Sequence, residues 1–168
     1  HIFNAPGISL ANPVDSNGLD FERISKAKQI SGTVSIDKDH GRPGTTALEV
    51  IREVEADVIV ELSPTNIVDG EPGLSHIEAA LKRKRHVVTA NKGPLALALP
   101  ALMELASYNN VFLKFSGAVG GGTPILDLGK KCLLGDRVAS IRGILNGTTN
   151  YILTRMTEAR IPMNPALK

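Results

Sequence analysis

The sequence predicts an α/β fold: a parallel sheet layered with helices, followed by the start of a second α/β domain. Three observations carry this. Short apolar runs, "DVIVEL", "HVVTA" and "VFLKF", alternate with amphipathic stretches of helix length. Trp is absent and aromatics make up 4% of 168 residues, so the core must come from Val, Ile, Leu and Ala. The composition also shifts sharply at Ser116 into the glycine-rich "SGAVGGGTPIL". Buried strands alternating with helices predict βαβ units with right-handed crossovers. That places a parallel-sheet domain over residues 1–116 and a second domain over 117–168.

The elements follow in order. Residues 1–18 carry Pro6, Gly7, Pro13 and Gly18 among three asparagines, which is loop chemistry around at most one short strand near Ile8. "GLDFERISKAKQISG" spaces Leu19, Phe21, Ile24, Ala27 and Ile30 as a helix does. "DKDHGRPG", from Asp37 to Gly44, reads as a polar loop. Thr45 or Thr46 can cap the next helix, "TALEVIREVEA".

"DVIVEL" is then a strand, "LSHIEAALKRK" a helix and "HVVTA" a buried strand. "PLALALPALMELASYNN" is a helix with Pro94 in its tolerant first turn and Pro100 set to kink it. "VFLKF" is a third strand. Beyond the glycines come a helix over Pro124–Leu134, a strand "RVASIRGIL", and a helix from Thr148 or Thr149.

Charge and cysteine content narrow the function classes. Nineteen basic and 17 acidic side chains give a net charge of +2, too small a surplus for a nucleic-acid or anionic-membrane partner. Cys132 is the only cysteine, so no intrachain disulfide can form. A reducing, cytoplasmic setting is the expectation. No apolar run reaches the roughly 18 residues of a membrane span. The abrupt opening at "HIFNAPGISL" reads as an excerpt of a longer protein.

In open parallel sheets, ligands collect outside the carboxyl ends of the strands. Ser63, Pro64, Thr65 and Asn66 follow the first strand there; Asn91 and Lys92 follow the second; Ser116 and the glycines follow the third. Polar loops are ordinary at such ends. Lys92 is less ordinary, because a cation beside a helix N-terminus is electrostatically unfavourable. It suggests an anionic or carbonyl-bearing ligand. Glu61, closing an apolar strand, reads as an acceptor for loop amides. "GAVGGGTP" is open between a phosphate cradle, a carbonyl cation site and a plain hinge. In "GILNGTTNYIL", Thr148 can cap a helix or help bind a carboxylate at its N-terminus.

"DVIVELSPTN", "HVVTANKGPLA", "GAVGGGTPIL" and "GILNGTTNYILTRM", in this order, resemble homoserine dehydrogenase of archaeal or bacterial type. The resemblance covers residues 45–168; residues 1–44 match loosely, through "NGLD". It implies NAD- or NADP-dependent interconversion of L-homoserine and L-aspartate 4-semialdehyde, a step of threonine, methionine and isoleucine synthesis. It also implies a Rossmann-type nucleotide-binding domain followed by a catalytic and dimerisation domain, in a homodimer. Ser63 would lie against the nicotinamide or its ribose. Lys92 would approach the substrate oxygen and the cofactor and act in catalysis. Gly147 and Thr148 would line the substrate pocket. Val119, Gly121 and Thr123 would offer carbonyls to a sodium-like cation at the hinge.

Two departures qualify the likeness. Ser116 stands where the family carries a glutamate associated with the cation. The family's G-x-G-x-x-G loop would precede residue 1, and its substrate-binding acids and proton-handling lysine would follow residue 168. The excerpt alone is therefore expected to be inactive. A non-catalytic nucleotide-binding sensor of the same fold, and one module of a fused aspartate kinase–homoserine dehydrogenase, remain as other readings. No acid stands clearly at the second Rossmann strand end, near "ISLANPVDSNG", where it would select NAD.

Overall fold

The computed structural model describes residues 18–167 and, for backbone only, residues 2–4 and 7–9. The cofactor-selecting stretch expected at residues 8–18 lies largely outside the described residues. The chain forms two compact units, His1–Phe115 and Ser116–Lys168.

The first unit holds two small sheets. Strands β1 (Ile2–Asn4) and β2 (Gly7–Ser9) pair antiparallel, and β2 pairs antiparallel with β3 (Gly41–Pro43). The expected loop around one strand near Ile8 thus holds two strands, and part of "DKDHGRPG" supplies the third. Between β2 and β3 runs helix α1 (Phe21–Ser31). Asp20 caps it by accepting from the Arg23 amide, and Gly32 ends it in a left-handed turn at φ 74°. Arg23 ties α1 to the following loop through Asp37 (Nε to Oδ1, 2.8 Å) and Asp39.

Helix α2 (Ala47–Glu53) opens on a capping box. Thr46 accepts from the Glu49 amide, and Glu49 accepts from the Thr46 amide at 2.7 Å. This satisfies two amides that helix geometry leaves without partners.

The parallel sheet follows: β4 (Val58–Glu61), helix α3 (Gly73–Lys82), β5 (His86–Thr89), helix α4 (Lys92–Tyr108) and β6 (Leu113–Lys114). The strand order is β4-β5-β6, with Ile59 opposite Val87 and Val87 opposite Leu113. Helix α4 breaks at Ala98 (φ −139°, ψ 18°), two residues ahead of Pro100, where the proline ring disfavours regular helix.

Helices α3 and α4 pack against each other and against the strands, and cover one face of the sheet. Ile77, Ala80 and Leu81 of α3 and Leu102 and Ala106 of α4 form a core with Val87 and Leu113. The apolar strands were expected to be buried. The second face instead presents Val58, Val60, Val88 and Phe112 to solvent. On that face His86 stacks on Phe112, with centroids 5.1 Å apart, and accepts the Phe112 amide at its Nδ1.

The second unit is helical. A short helix α5 (Ile125–Asp127) runs into a π turn at Leu128–Cys132, where a single longer helix was expected. Helices α6 (Gly147–Glu158) and α7 (Met163–Ala166) follow and touch each other. "RVASIRGIL" forms no strand. An apolar, β-branched segment becomes a strand only when another strand completes its hydrogen bonds, and the described residues of this unit offer none. Ile141, Ile144 and Leu145 are accordingly exposed.

Candidate functional site at the carboxyl edge of the parallel sheet

Glu61 ends β4 and Thr89 ends β5, directly opposite in register. Both point into the layer beneath the helices and are 4% and 2% exposed. A carboxylate so placed requires donors, and they are present. The Ser63 amide donates to Glu61 Oε1 at 2.8 Å, and the Ser63 hydroxyl donates to the same oxygen. Thr89 Oγ1 donates to Glu61 Oε2 at 3.1 Å. Burial pushes the Glu61 carboxyl up; His76, the two Ser63 donors and Thr89 outweigh it and pull it from 4.5 to about 2. His76 Nδ1 stands 3.9 Å from Glu61 Oε1, beyond hydrogen-bond length, so Ser63 and Thr89 make the direct contacts.

Asn91 carries the network to the next loop. Its amide donates to Thr89 Oγ1 at 3.0 Å. Its side-chain Oδ1 accepts from the Gly93 amide at 3.2 Å and caps α4. That fixes the amide orientation, and Nδ2 then donates to the Ser63 carbonyl at 3.2 Å and hydroxyl at 3.3 Å. The loops after β4 and β5 are therefore one hydrogen-bonded body.

Two glycines let them close. A Cβ on Gly73, at the start of α3, would lie 2.5 Å from Asn91 Nδ2 and 3.3 Å from Glu61 Oε2. A Cβ on Gly93 would lie 2.1 Å from the Asn66 carbonyl oxygen.

Lys92, the first residue of α4, stands on this frame. It is exposed and has no ion-pair partner among the described residues. Asn91 between them links the Ser63 and Lys92 positions. Arrangement of this kind holds one hydroxyl and one ammonium at a sheet edge with little freedom in the backbone that carries them.

The other expected site residues lie in the second unit. Helix α6 begins at Gly147, and Asn146 caps it: its Oδ1 accepts from the Thr149 amide at 2.7 Å. Thr148, offered as the cap, is already helical. Gly147 and Thr148 thus sit in the first turn of α6. In the glycine segment, Gly120 (φ 75°) and Gly121 (φ 59°) are left-handed. The Thr123 carbonyl accepts from the Ile125 amide at 2.8 Å, so it is engaged in a turn of its own chain. No group of three His, Cys, Asp or Glu side chains suited to a metal occurs among the described residues.

The polar strand ends signalled Ser63, Asn91 and Lys92. Thr89 was not singled out, because its role depends on the register between β4 and β5. A charged last residue beside a polar last residue on the next parallel strand is the sequence signal that marks such a clasp.

A three-stranded parallel sheet under α3 and α4, with its polar site at the carboxyl edge, defines a Rossmann-type α/β protein. Residues 124–168 match the sequence model of the family described as homoserine dehydrogenase. The homoserine dehydrogenase of Methanocaldococcus jannaschii is 44% identical over 155 residues, covering 92% of this chain and 46% of that protein. The NAD(+)-dependent homoserine dehydrogenase of Pseudomonas canavaninivorans is 40% identical over 159 residues, 92% of this chain and 44% of that one. A hyperthermophilic archaeal homoserine dehydrogenase in complex with NADPH matches in structure with a TM-score of 0.74. It is 28% identical, with 89% of this chain and 45% of that chain covered. The chain belongs to the homoserine dehydrogenase family, and it spans about half the length of these relatives.

Proposed function

We propose that the protein carrying this chain interconverts L-homoserine and L-aspartate 4-semialdehyde with NAD or NADP. The observation that supports this most directly is Lys92: an exposed cation, unpaired among the described residues, on a backbone locked to Ser63. Residues 1–116 would form part of the nucleotide-binding domain. Residues 117–168 would begin the catalytic and dimerisation domain of a homodimer.

A bound nicotinamide supplies or takes the hydride. The chain's own residues then have definite tasks. Ser63 meets the nicotinamide or its ribose. Lys92 faces the substrate oxygen, where negative charge grows as the carbonyl carbon is reduced. An ammonium already in place stabilises that charge without reorganising, and a fixed lysine also aligns the two reactants. Gly147 and Thr148 would contribute to the substrate pocket.

A hinge cation would be held by backbone carbonyls without a charged side chain from Ser116. Val119, Gly121 and Thr123 could offer carbonyls, with one lone pair of Thr123 already taken by the Ile125 amide. No chemical step requires that ion here.

The complete gene product should show a change in the nicotinamide absorbance band with homoserine and one or both cofactors. Comparison of NAD with NADP settles the cofactor preference. No turnover with either, in a protein that melts cooperatively, would refute the activity.

A further inference from the structure

We infer that Glu61 is a positioning residue: it holds the Ser63 hydroxyl as a hydrogen-bond acceptor toward the bound cofactor, so that Ser63 recognises a donor group on it. The inference rests on the dehydrogenase reading for the identity of the ligand. It rests on hydrogen-bond polarity for everything else.

A serine hydroxyl has one hydrogen and two lone pairs. An ionised carboxylate only accepts, and Glu61 is buried among donors that keep it ionised. The Ser63 hydrogen is therefore committed to Glu61 Oε1, alongside the Ser63 amide on the same oxygen. Asn91 cannot reverse this. Its Oδ1 is held by the Gly93 amide, so its Nδ2 is the end presented to Ser63 Oγ at 3.3 Å. That contact takes one lone pair. Ser63 is only partly buried, and what it keeps for a ligand is the other lone pair.

A group that accepts, such as a phosphate oxygen or a carbonyl, finds no hydrogen there. A group that donates finds a fixed acceptor. A nicotinamide nucleotide has two such donors near its reacting ring, the carboxamide N–H and the ribose O–H. Without Glu61 the hydroxyl could rotate to suit either kind of group, and the preference would be lost. Glu61 acts in this way without touching the cofactor.

The test measures cofactor binding by titration calorimetry on the complete gene product, and needs no turnover. One probe is the acetylpyridine analogue, whose methyl ketone lacks the carboxamide N–H. The other is an analogue lacking the 2′-hydroxyl of the nicotinamide ribose. Wild type should bind one of them at least tenfold more weakly than the parent cofactor. Ser63→Ala should shrink that ratio to within about threefold, because the acceptor is gone. Glu61→Leu should shrink it likewise, while Glu61→Gln, which keeps an acceptor oxygen, should retain it. A purely structural Glu61 would weaken all three ligands equally and leave the ratio unchanged, which would overturn the inference. So would a ratio that is the same in wild type and Ser63→Ala. If Glu61→Leu fails to fold, Glu61→Met, an unbranched side chain that likewise offers no oxygen to the Ser63 hydroxyl, is read by the same ratio. Failure of the dehydrogenase reading looks different: wild type would bind cofactor but not turn over homoserine.

Discussion

Gly93 rests on the backbone of Asn66, so closely that a Cβ would stand 2.1 Å from the Asn66 carbonyl oxygen and 3.3 Å from its amide nitrogen. Neither atom belongs to a flexible side chain, so an added methyl must move a loop or the start of α4. Gly93→Ala should therefore cost about 1–3 kcal/mol, the usual range for overpacking. Urea unfolding of the complete protein measures this directly. An unchanged midpoint would mean that the two loops are not in tight contact.

Lys92 predicts the opposite pairing of effects. It is exposed and has no ion-pair partner among the described residues, so Lys92→Ala should leave the unfolding midpoint nearly unchanged. Turnover of homoserine should fall by roughly a hundredfold or more, as when one donor to a developing oxyanion is removed. Steady-state kinetics beside a melting curve separates the two. An unaltered kcat would take Lys92 out of the mechanism.

Asn91 has two tasks that substitutions can divide. Asn91→Ala removes the cap on α4, worth about 1 kcal/mol, and also the donor to Ser63, leaving the part-buried Ser63 carbonyl short of a partner. Asn91→Ser restores a capping oxygen but cannot reach Ser63. Stability should fall in the order wild type, serine, alanine, while cofactor affinity falls equally in both variants. If serine and alanine unfold at the same denaturant concentration, the cap contributes nothing.

What the sequence discloses and what it hides follow from the range of each interaction. "DVIVEL" and "HVVTA" are legible as strands because three β-branched residues in a row leave few other choices. Thr46 as a cap is legible because the capping box spans only four residues. The role of Glu61 is half legible: a charge at a strand end needs donors, but Thr89 lies 28 residues away and only sheet register brings it there. "RVASIRGIL" shows the converse. Its local pattern suits a strand, yet pairing is a property of two segments, and the described residues of that unit supply one. The open face of Val58, Val60 and Val88 has the same origin. Both helices pack on the other side, and apolarity alone does not say which face is covered.

The Glu61 clasp also predicts a pH dependence of stability. Its pKa falls from 4.5 to about 2 on folding. The unfolded chain then takes up the proton at a higher pH than the folded protein does. The stabilisation is complete above pH 4.5 and is lost as pH falls toward 2, when the folded carboxyl is protonated too. The amount is about 3 kcal/mol, at 1.36 kcal/mol for each tenfold shift in acidity. Asp37 and Glu49 are lowered as well and will add to the acid slope. Glu61→Gln isolates the contribution, since those two carboxylates stay in both proteins. Stability measured by urea unfolding from pH 6 to pH 2.5 should drop more steeply in wild type, and the gap between the two proteins should narrow below pH 4.5. Parallel curves would show that Glu61 titrates no differently when folded, and the clasp would then be weaker than its geometry implies.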